Sequence, residues 1–212
     1  MLSASDIYNN KVNLWNALLP VLGNNEYAVA AVMGNIASES AYTFDPRIVQ
    51  GYNASSFDNC VVYTNNVDSG AVSEYDFVHK GPNGGGYGLC QWTWYARKQN
   101  LYNLKNTGVY TSIGSLSLQV DFLNQELTNN YASLKSQIIA TSESTLYDST
   151  VGFMVSFENP ANQTAAAKNG RYNNAVSLYN ELSGSSITPG TSTDIKTSSL
   201  PIYLKAYNIL IK

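Results

Sequence analysis

The stretch Tyr27-Ala28-Val29-Ala30-Ala31-Val32-Met33-Gly34-Asn35-Ile36-Ala37-Ser38-Glu39 carries apolar residues on every side of a helical projection. A helix that is apolar all round is one surrounded by protein, so residues 25–39 predict the central helix of the fold. Upstream, Ser3 or Ser5 offers an N-cap to an amphipathic helix whose Ile7, Leu14, Trp15, Leu18, Leu19 and Leu22 recur near helical spacing until Gly23. Downstream, residues 42–88 break into short β-prone pieces such as 60–64, separated by Asn, Asp, Ser and Gly and closing in Pro82-Asn83-Gly84-Gly85-Gly86. That pattern predicts a loop-rich lobe with a small sheet. Helical patterns resume over 92–104, 115–136, 146–158 and 162–182, so the expected class is mainly α (α+β), with one small loop-rich β lobe.

After residue 182 the composition changes. Residues 183–200 are Ser, Thr and Gly-rich and read as a flexible linker, which ends the folded domain at 1–182. Residues 201–212 are apolar again, either a tail that docks back or the start of a further module. No repeat of 20 to 50 residues is visible.

The chain has 212 residues, 44% hydrophobic and 13% charged, with 12 Lys and Arg against 15 Asp and Glu. A chain of that length buries roughly 70% of its unfolded surface and needs no staples to hold a core. The slight negative balance lacks the clustered cations that grip phosphate, which disfavours a nucleic-acid partner. One histidine, His79, and two cysteines, Cys60 and Cys90, are too few for a His and Cys metal site, so no metal and no cofactor are expected. No run of about 20 apolar residues reads as a membrane span. The N-terminus has no basic and apolar leader, so work outside the cell would need indirect export. Abundant Asn, Ser and Thr and 16 Tyr give a neutral polar surface suited to sugars, a composition that an AT-rich genome also produces.

Glu39 follows two turns of almost wholly apolar helix. Desolvation and the negative end of the helix dipole both disfavour a charged carboxylate there, and a protonated carboxyl is what glycosidic cleavage needs as its general acid. The alternative is a glutamate facing water at a frayed helix end. A second cluster, Gly86-Tyr87-Gly88-Leu89-Cys90-Gln91-Trp92, has glycines that permit close backbone approach and large side chains that could line a cleft, or simply anchor a turn. It lacks the context of a nucleotide fingerprint. His79 and Cys90 admit a thiol peptidase reading, and Cys60 and Cys90 a disulfide closing the lobe.

Taken together, Gly34-Asn35-Ile36-Ala37-Ser38-Glu39-Ser40, Phe44-Asp45-Pro46, Gly86-Tyr87-Gly88-Leu89-Cys90-Gln91-Trp92 with Arg97 and Leu101, and Phe157-Glu158-Asn159-Pro160 followed by Arg171 resemble the phage tail-type lysozyme family, akin to goose-type lysozymes and soluble lytic transglycosylases. The resemblance spans residues 6–182 and implies a lysozyme-like fold with a groove between a helical lobe and the 42–88 lobe. It implies a peptidoglycan hydrolase, a phage tail lysozyme or endolysin, cutting the β-1,4 bond between N-acetylmuramic acid and N-acetylglucosamine. Glu39 matches the catalytic glutamate. Substrate-binding positions are Ser40, Tyr87, Gln91, Trp92 and Glu158, the last a groove-wall carboxylate with Arg171 as partner. Cys90 departs from the small or apolar residue more usual there.

A second catalytic carboxylate would come from Asp45, Asp58, Asp68, Glu74 or Asp76. If none reaches the groove, a lytic transglycosylase yielding 1,6-anhydromuramic acid is the alternative, and a non-catalytic glycan-binding tail module is another. The implied partners are peptidoglycan glycan strands, with a phage tail or further modules of a longer protein beside them. The implied setting is the cell wall, reached from a virion or by holin-type release.

Overall fold

The protein, seen here as a computed structural model, is described over residues 1–187. Among them nine α-helices run in order: α1 Ala4–Val21, α2 Glu26–Glu39, α3 Asp58–Asp68, α4 Glu74–His79, α5 Tyr95–Lys105, α6 Leu116–Asn129, α7 Ala132–Ile139, α8 Leu146–Phe153 and α9 Ala165–Leu182. The fold is mainly α, as the helical patterns predict. Residues 188–212, which hold most of the expected linker over 183–200 and the whole 201–212 tail, lie outside the described residues. Just before them, Ile187 is buried and exchanges hydrogen bonds with the Asn180 side chain.

Helix α2 is the predicted centre. The Asn25 side chain caps it by accepting from the amides of Tyr27 and Ala28, and residues 28–37 are all buried. Ser3, rather than Ser5, caps α1 through a reciprocal pair with Asp6. Helix α2 packs most extensively against α9 and next against α8. The α2–α9 crossing is close because of one glycine: a Cβ on Gly34 would lie 2.6 Å from the Arg171 carbonyl oxygen and 2.8 Å from Ala175. At the other end of the crossing Tyr27 and Tyr179 stack with centroids 4.4 Å apart. Asn35, buried on α2, donates to the carbonyls of Ala31 and Thr150 and so ties in α8.

The lobe corrects one expectation. Its pairing among the described residues reduces to two isolated antiparallel bridges, Val49 with Tyr87 and Tyr87 with Trp92. The segment 60–64, read as β-prone, is the middle of α3. Its burial explains why: Phe57, Cys60, Thr64 and Val67 are buried at helical spacing, and tertiary packing on that stripe overrides the β-propensity of Val61 and Val62. Two long helical predictions also divide. Residues 115–136 split at Asn129 and Asn130 into α6 and α7, and 146–158 changes at Met154 from α-helix to a wider π-helical turn, Met154–Glu158.

Gly34→Ala tests the crossing. Because the clash is with backbone atoms of α9, the helices must move apart, and the variant is expected to lose about 2 kcal/mol of stability by overpacking. Thermal unfolding followed by circular dichroism would read that loss; an unchanged midpoint would show that α9 sits farther off than described.

Candidate active site

Glu39 is the last residue of α2, and three of the next five residues, Ala41, Tyr42 and Phe44, have positive φ of 48°, 60° and 52°. Left-handed backbone at residues with side chains is costly, about 1 kcal/mol or more each, and persists where the surroundings enforce it. Here Ser40 does part of the enforcing. Its hydroxyl accepts from the Phe44 amide at 3.1 Å, and its carbonyl accepts from the Thr43 hydroxyl at 2.7 Å. The chain thus turns away sharply behind Glu39 and leaves its carboxyl at the edge of a cleft of about 940 Å³.

The cleft is lined by Glu39, by Gln50 and Gln91, and by Trp94, Arg97 and Glu158 among others. Glu39 accepts a 2.5 Å charge-assisted bond from Arg171 Nη2, with the glutamate side chain 20% exposed and the arginine 9%. Arg171 also donates to the carbonyl and side-chain oxygens of Asn35. Glu39 is therefore a paired carboxyl at the cleft edge rather than the lone carboxyl in apolar surroundings that the helix pattern suggests.

The Gly-rich turn contributes Cys90 and Gln91 to the cleft lining. Gln91 has φ 43° and hands its side-chain amide to the Gly88 carbonyl at 2.9 Å. A Cβ on Gly88, itself at φ 78°, would meet Gln119 Oε1 at 2.4 Å, so only glycine fits between Gln91 and α6. Lys98, buried behind this turn, donates to the Gly85 carbonyl at 3.0 Å, and burial pushes its amine down to about 8.

Of the expected sugar contacts, Gln91 and Glu158 line the cleft with Glu39, whereas Ser40, Tyr87 and Trp92 stand behind it, each almost fully buried. Ser40 holds the turn after Glu39. The Tyr87 hydroxyl pairs with Thr64 at 2.9 Å, and Trp92 Nε1 donates to Glu126 at 2.8 Å. These two rings support the wall because apolar packing, with one satisfied polar atom each, costs less than exposure to the cleft. Tyr52, Tyr131, Phe157 and Trp94 are the aromatic residues that line the cleft, and of these Trp94, two positions on from Trp92, is the most open at 62% exposure.

Glu158 closes the π-helical turn, followed by Asn159 at φ 45°. Its Oε1 is buried without a hydrogen-bond partner. Burial first, and the nearby Glu39 charge second, push its carboxyl well above the usual range, while Arg97 and Arg171 pull the other way. Arg97 is engaged elsewhere: its guanidinium makes a two-pronged pair with Glu126, at 2.6 and 2.7 Å, and lies over the Phe157 ring. Burial thus favours the neutral form of Glu158, against the pull of the two arginines and of a hydrogen bond with the Cys90 thiol.

The remaining acids are committed away from the cleft. Asp45 is paired with Arg47, Asp58 with the N-terminus, Asp76 with Lys80, Asp68 accepts from Ser112, and Glu74 accepts from Gln99. Both cysteines are free. Burial raises the Cys90 thiol well above its ordinary value, and His79 stacks on Tyr75 and Tyr95, so the pair that a thiol peptidase would need does not form.

The model of the phage tail lysozyme family matches residues 9–182. The chain belongs to that family. No curated protein and no solved structure matches it. Membership gives the chain a lysozyme-like role acting on peptidoglycan at the cell wall. No helix among the described residues is long and apolar enough to cross a membrane.

Glu158→Gln separates a neutral buried acid from a charged one. In the unfolded chain glutamate loses its proton near pH 4, while burial in the folded protein holds the Glu158 proton to higher pH, so wild-type stability falls as pH rises past that point. The amide of the variant carries no such cost. The midpoint of Glu158→Gln is expected to match wild type near pH 4 and to rise relative to it toward pH 7, by up to about 1.4 kcal/mol per pH unit. A constant deficit across that range would mean that Glu158 is ionised and paired.

Proposed function

We propose that the protein cleaves the β-1,4 bond between N-acetylmuramic acid and N-acetylglucosamine in peptidoglycan, with Glu39 as the proton donor to the leaving oxygen. The observation that carries the reading is the position of Glu39. Among the described residues it is the cleft-lining carboxyl that forms an ion pair, with Arg171, and it closes the helix on which the family resemblance is densest. Arg171 can release it without being stranded, because Asn35 offers two oxygens to the same guanidinium. A strand filling the cleft removes water from around Glu39, the condition under which a carboxyl serves as acid. Gln91 and Gln50 supply neutral amides for saccharide hydroxyls, and their anchoring against backbone keeps them in place.

The fate of the oxocarbenium-like sugar depends on a second group. A water attacking the opposite face needs a carboxylate about 6.5 to 9.5 Å from the acid, and a covalent route needs one at about 5 to 5.5 Å. Among the described residues, the other carboxyl that lines the cleft is Glu158, and its burial disfavours the charged form that either purpose needs. This favours, as a second reading, the route in which Glu39 gives its proton and then takes one from the muramyl 6-hydroxyl, closing a 1,6-anhydro ring.

Mass spectrometry of muropeptides released from purified Gram-positive peptidoglycan distinguishes the readings. Reducing-end muramic acid is expected for hydrolysis and 1,6-anhydromuramic acid for transglycosylation. Glu39→Gln is expected to lose at least about a hundredfold in rate, the usual scale of a general acid, while still binding the wall. Binding by both proteins with cleavage by neither would make the chain a glycan-binding module.

A further inference from the structure

Trp94, which lines the cleft, is left in water at 62% exposure, and so are two aromatic side chains connected to it through ring contacts, Tyr95 at 54% and Tyr75 at 61%. Covering a side chain of that size contributes about 1.5–3 kcal/mol, so their exposure forgoes stability that a core position would supply. Trp94 forgoes more. It occupies the N-cap of α5, where its side chain makes no capping bond, and a Ser, Thr, Asn or Asp there would add about 1 kcal/mol. Of the three tryptophans, Trp15 and Trp92 are buried and Trp94 alone is open.

The exposed rings are organised. Tyr75 and His79, one turn apart on α4, stack with centroids 4.5 Å apart, and the imidazole lies 5.8 Å from Tyr95 at an angle of 15°. Tyr95 then meets Trp94 edge to face at 5.7 Å. The order is a column of three stacked rings with the indole set across its end. A column fixed before a ligand arrives leaves little side-chain freedom to lose on binding. This is also what gives the single histidine a use: it is the middle layer of the column.

We propose that Trp94, propped by Tyr95, His79 and Tyr75, is a saccharide-stacking platform that extends the Glu39 cleft and grips the glycan strand beyond the two sugars at the scissile bond. The inference rests on the glycosidase reading for its occupant, because Trp94 lines the same cleft as Glu39 and Gln91 and a strand lying there must continue past it. Pyranose rings have an apolar face that an indole covers and a rim of hydroxyls, and Thr93, Gln91 and Asn53 present neutral polar groups to that rim. A peptide partner with a hydrophobic anchor is the competing occupant.

The test uses intrinsic fluorescence, which here reports on Trp94 because the other two indoles are shielded. Linear N-acetylglucosamine oligosaccharides of increasing length would be titrated into Glu39→Gln, alone and combined with Trp94→Ala or Trp94→Phe, with circular dichroism checking each fold. The expected result is a saturable shift in emission that strengthens with chain length. Because these variants lack the reporting indole, affinities of all three proteins are compared by isothermal titration calorimetry; Trp94→Ala is expected to weaken binding of the longer oligomers about tenfold, and Trp94→Phe to recover most of it. In parallel, wild type and Trp94→Ala would be compared in cleavage of long strands.

Equal affinity of the alanine variant for long oligomers, with wild-type cleavage intact, overturns the platform and leaves the glycosidase reading standing. A saccharide-dependent emission shift in a wild type that cleaves nothing upholds the platform and overturns the glycosidase reading. Oligosaccharides that leave the emission unchanged, while an apolar peptide shifts it, assign the rim to a protein partner and overturn the proposal.

Discussion

The close passage of α9 over Gly34 is the contact on which the site depends. Helices normally stand 8–10 Å apart because side chains hold them there. At Gly34 the missing Cβ lets the Arg171 carbonyl and the Ala175 backbone come down onto α2. That seating sets where the Arg171 side chain starts, and from there its guanidinium reaches Asn35 and, one turn further along α2, Glu39. Asn35 is the hinge of the arrangement: its amide serves α8 while its oxygens serve Arg171. A local steric fact on the central helix thus fixes the electrostatics at its end.

Much of this could be read from residues alone, and what could not has a common cause. The all-round apolar run over 25–39 has only one physical meaning, so α2 and the placement of Glu39 at its end were legible. The motif around Gly86 and Gln91 was legible as a place of close backbone approach, though whether it lines a cleft or only anchors a turn was not. The orientation of neighbouring rings was not. Tyr87, Trp92 and Trp94 look equally suited to touch a sugar, and which of them turns inward is decided by distant residues, Thr64 for Tyr87 and Glu126 for Trp92. The helix at 60–64 was hidden for a related reason. Its β-branched residues point to a strand locally, and only the stripe of Phe57, Cys60, Thr64 and Val67 against the core reveals the period. Trp94 left one signal that sequence offers, a large aromatic at a position where helix starts favour small polar residues.

The charges on the cleft wall follow a simple accounting of partners. Three carboxyls, Glu39, Glu126 and Glu158, face two guanidinium groups, Arg97 and Arg171. Arg97 is held by both oxygens of Glu126 and is fixed further by the Phe157 ring, so it has little left to give. Arg171 goes to Glu39. Glu158 is left buried without a cation of its own, and a buried carboxyl in that position is better off keeping its proton. The upward pull on its proton is therefore a consequence of how its neighbours pair, as much as of its own burial.

That accounting shapes what the cleft can recognise. With each charged group on the wall either paired or neutralised, the surface offered to a ligand is made of amides, hydroxyls and one open indole. Such a surface gains its selectivity mainly at contact distance, from hydrogen bonds and stacking. A polymer of neutral sugar rings is the ligand that satisfies both kinds of contact at once, and its length is what makes a wall of individually modest contacts sufficient.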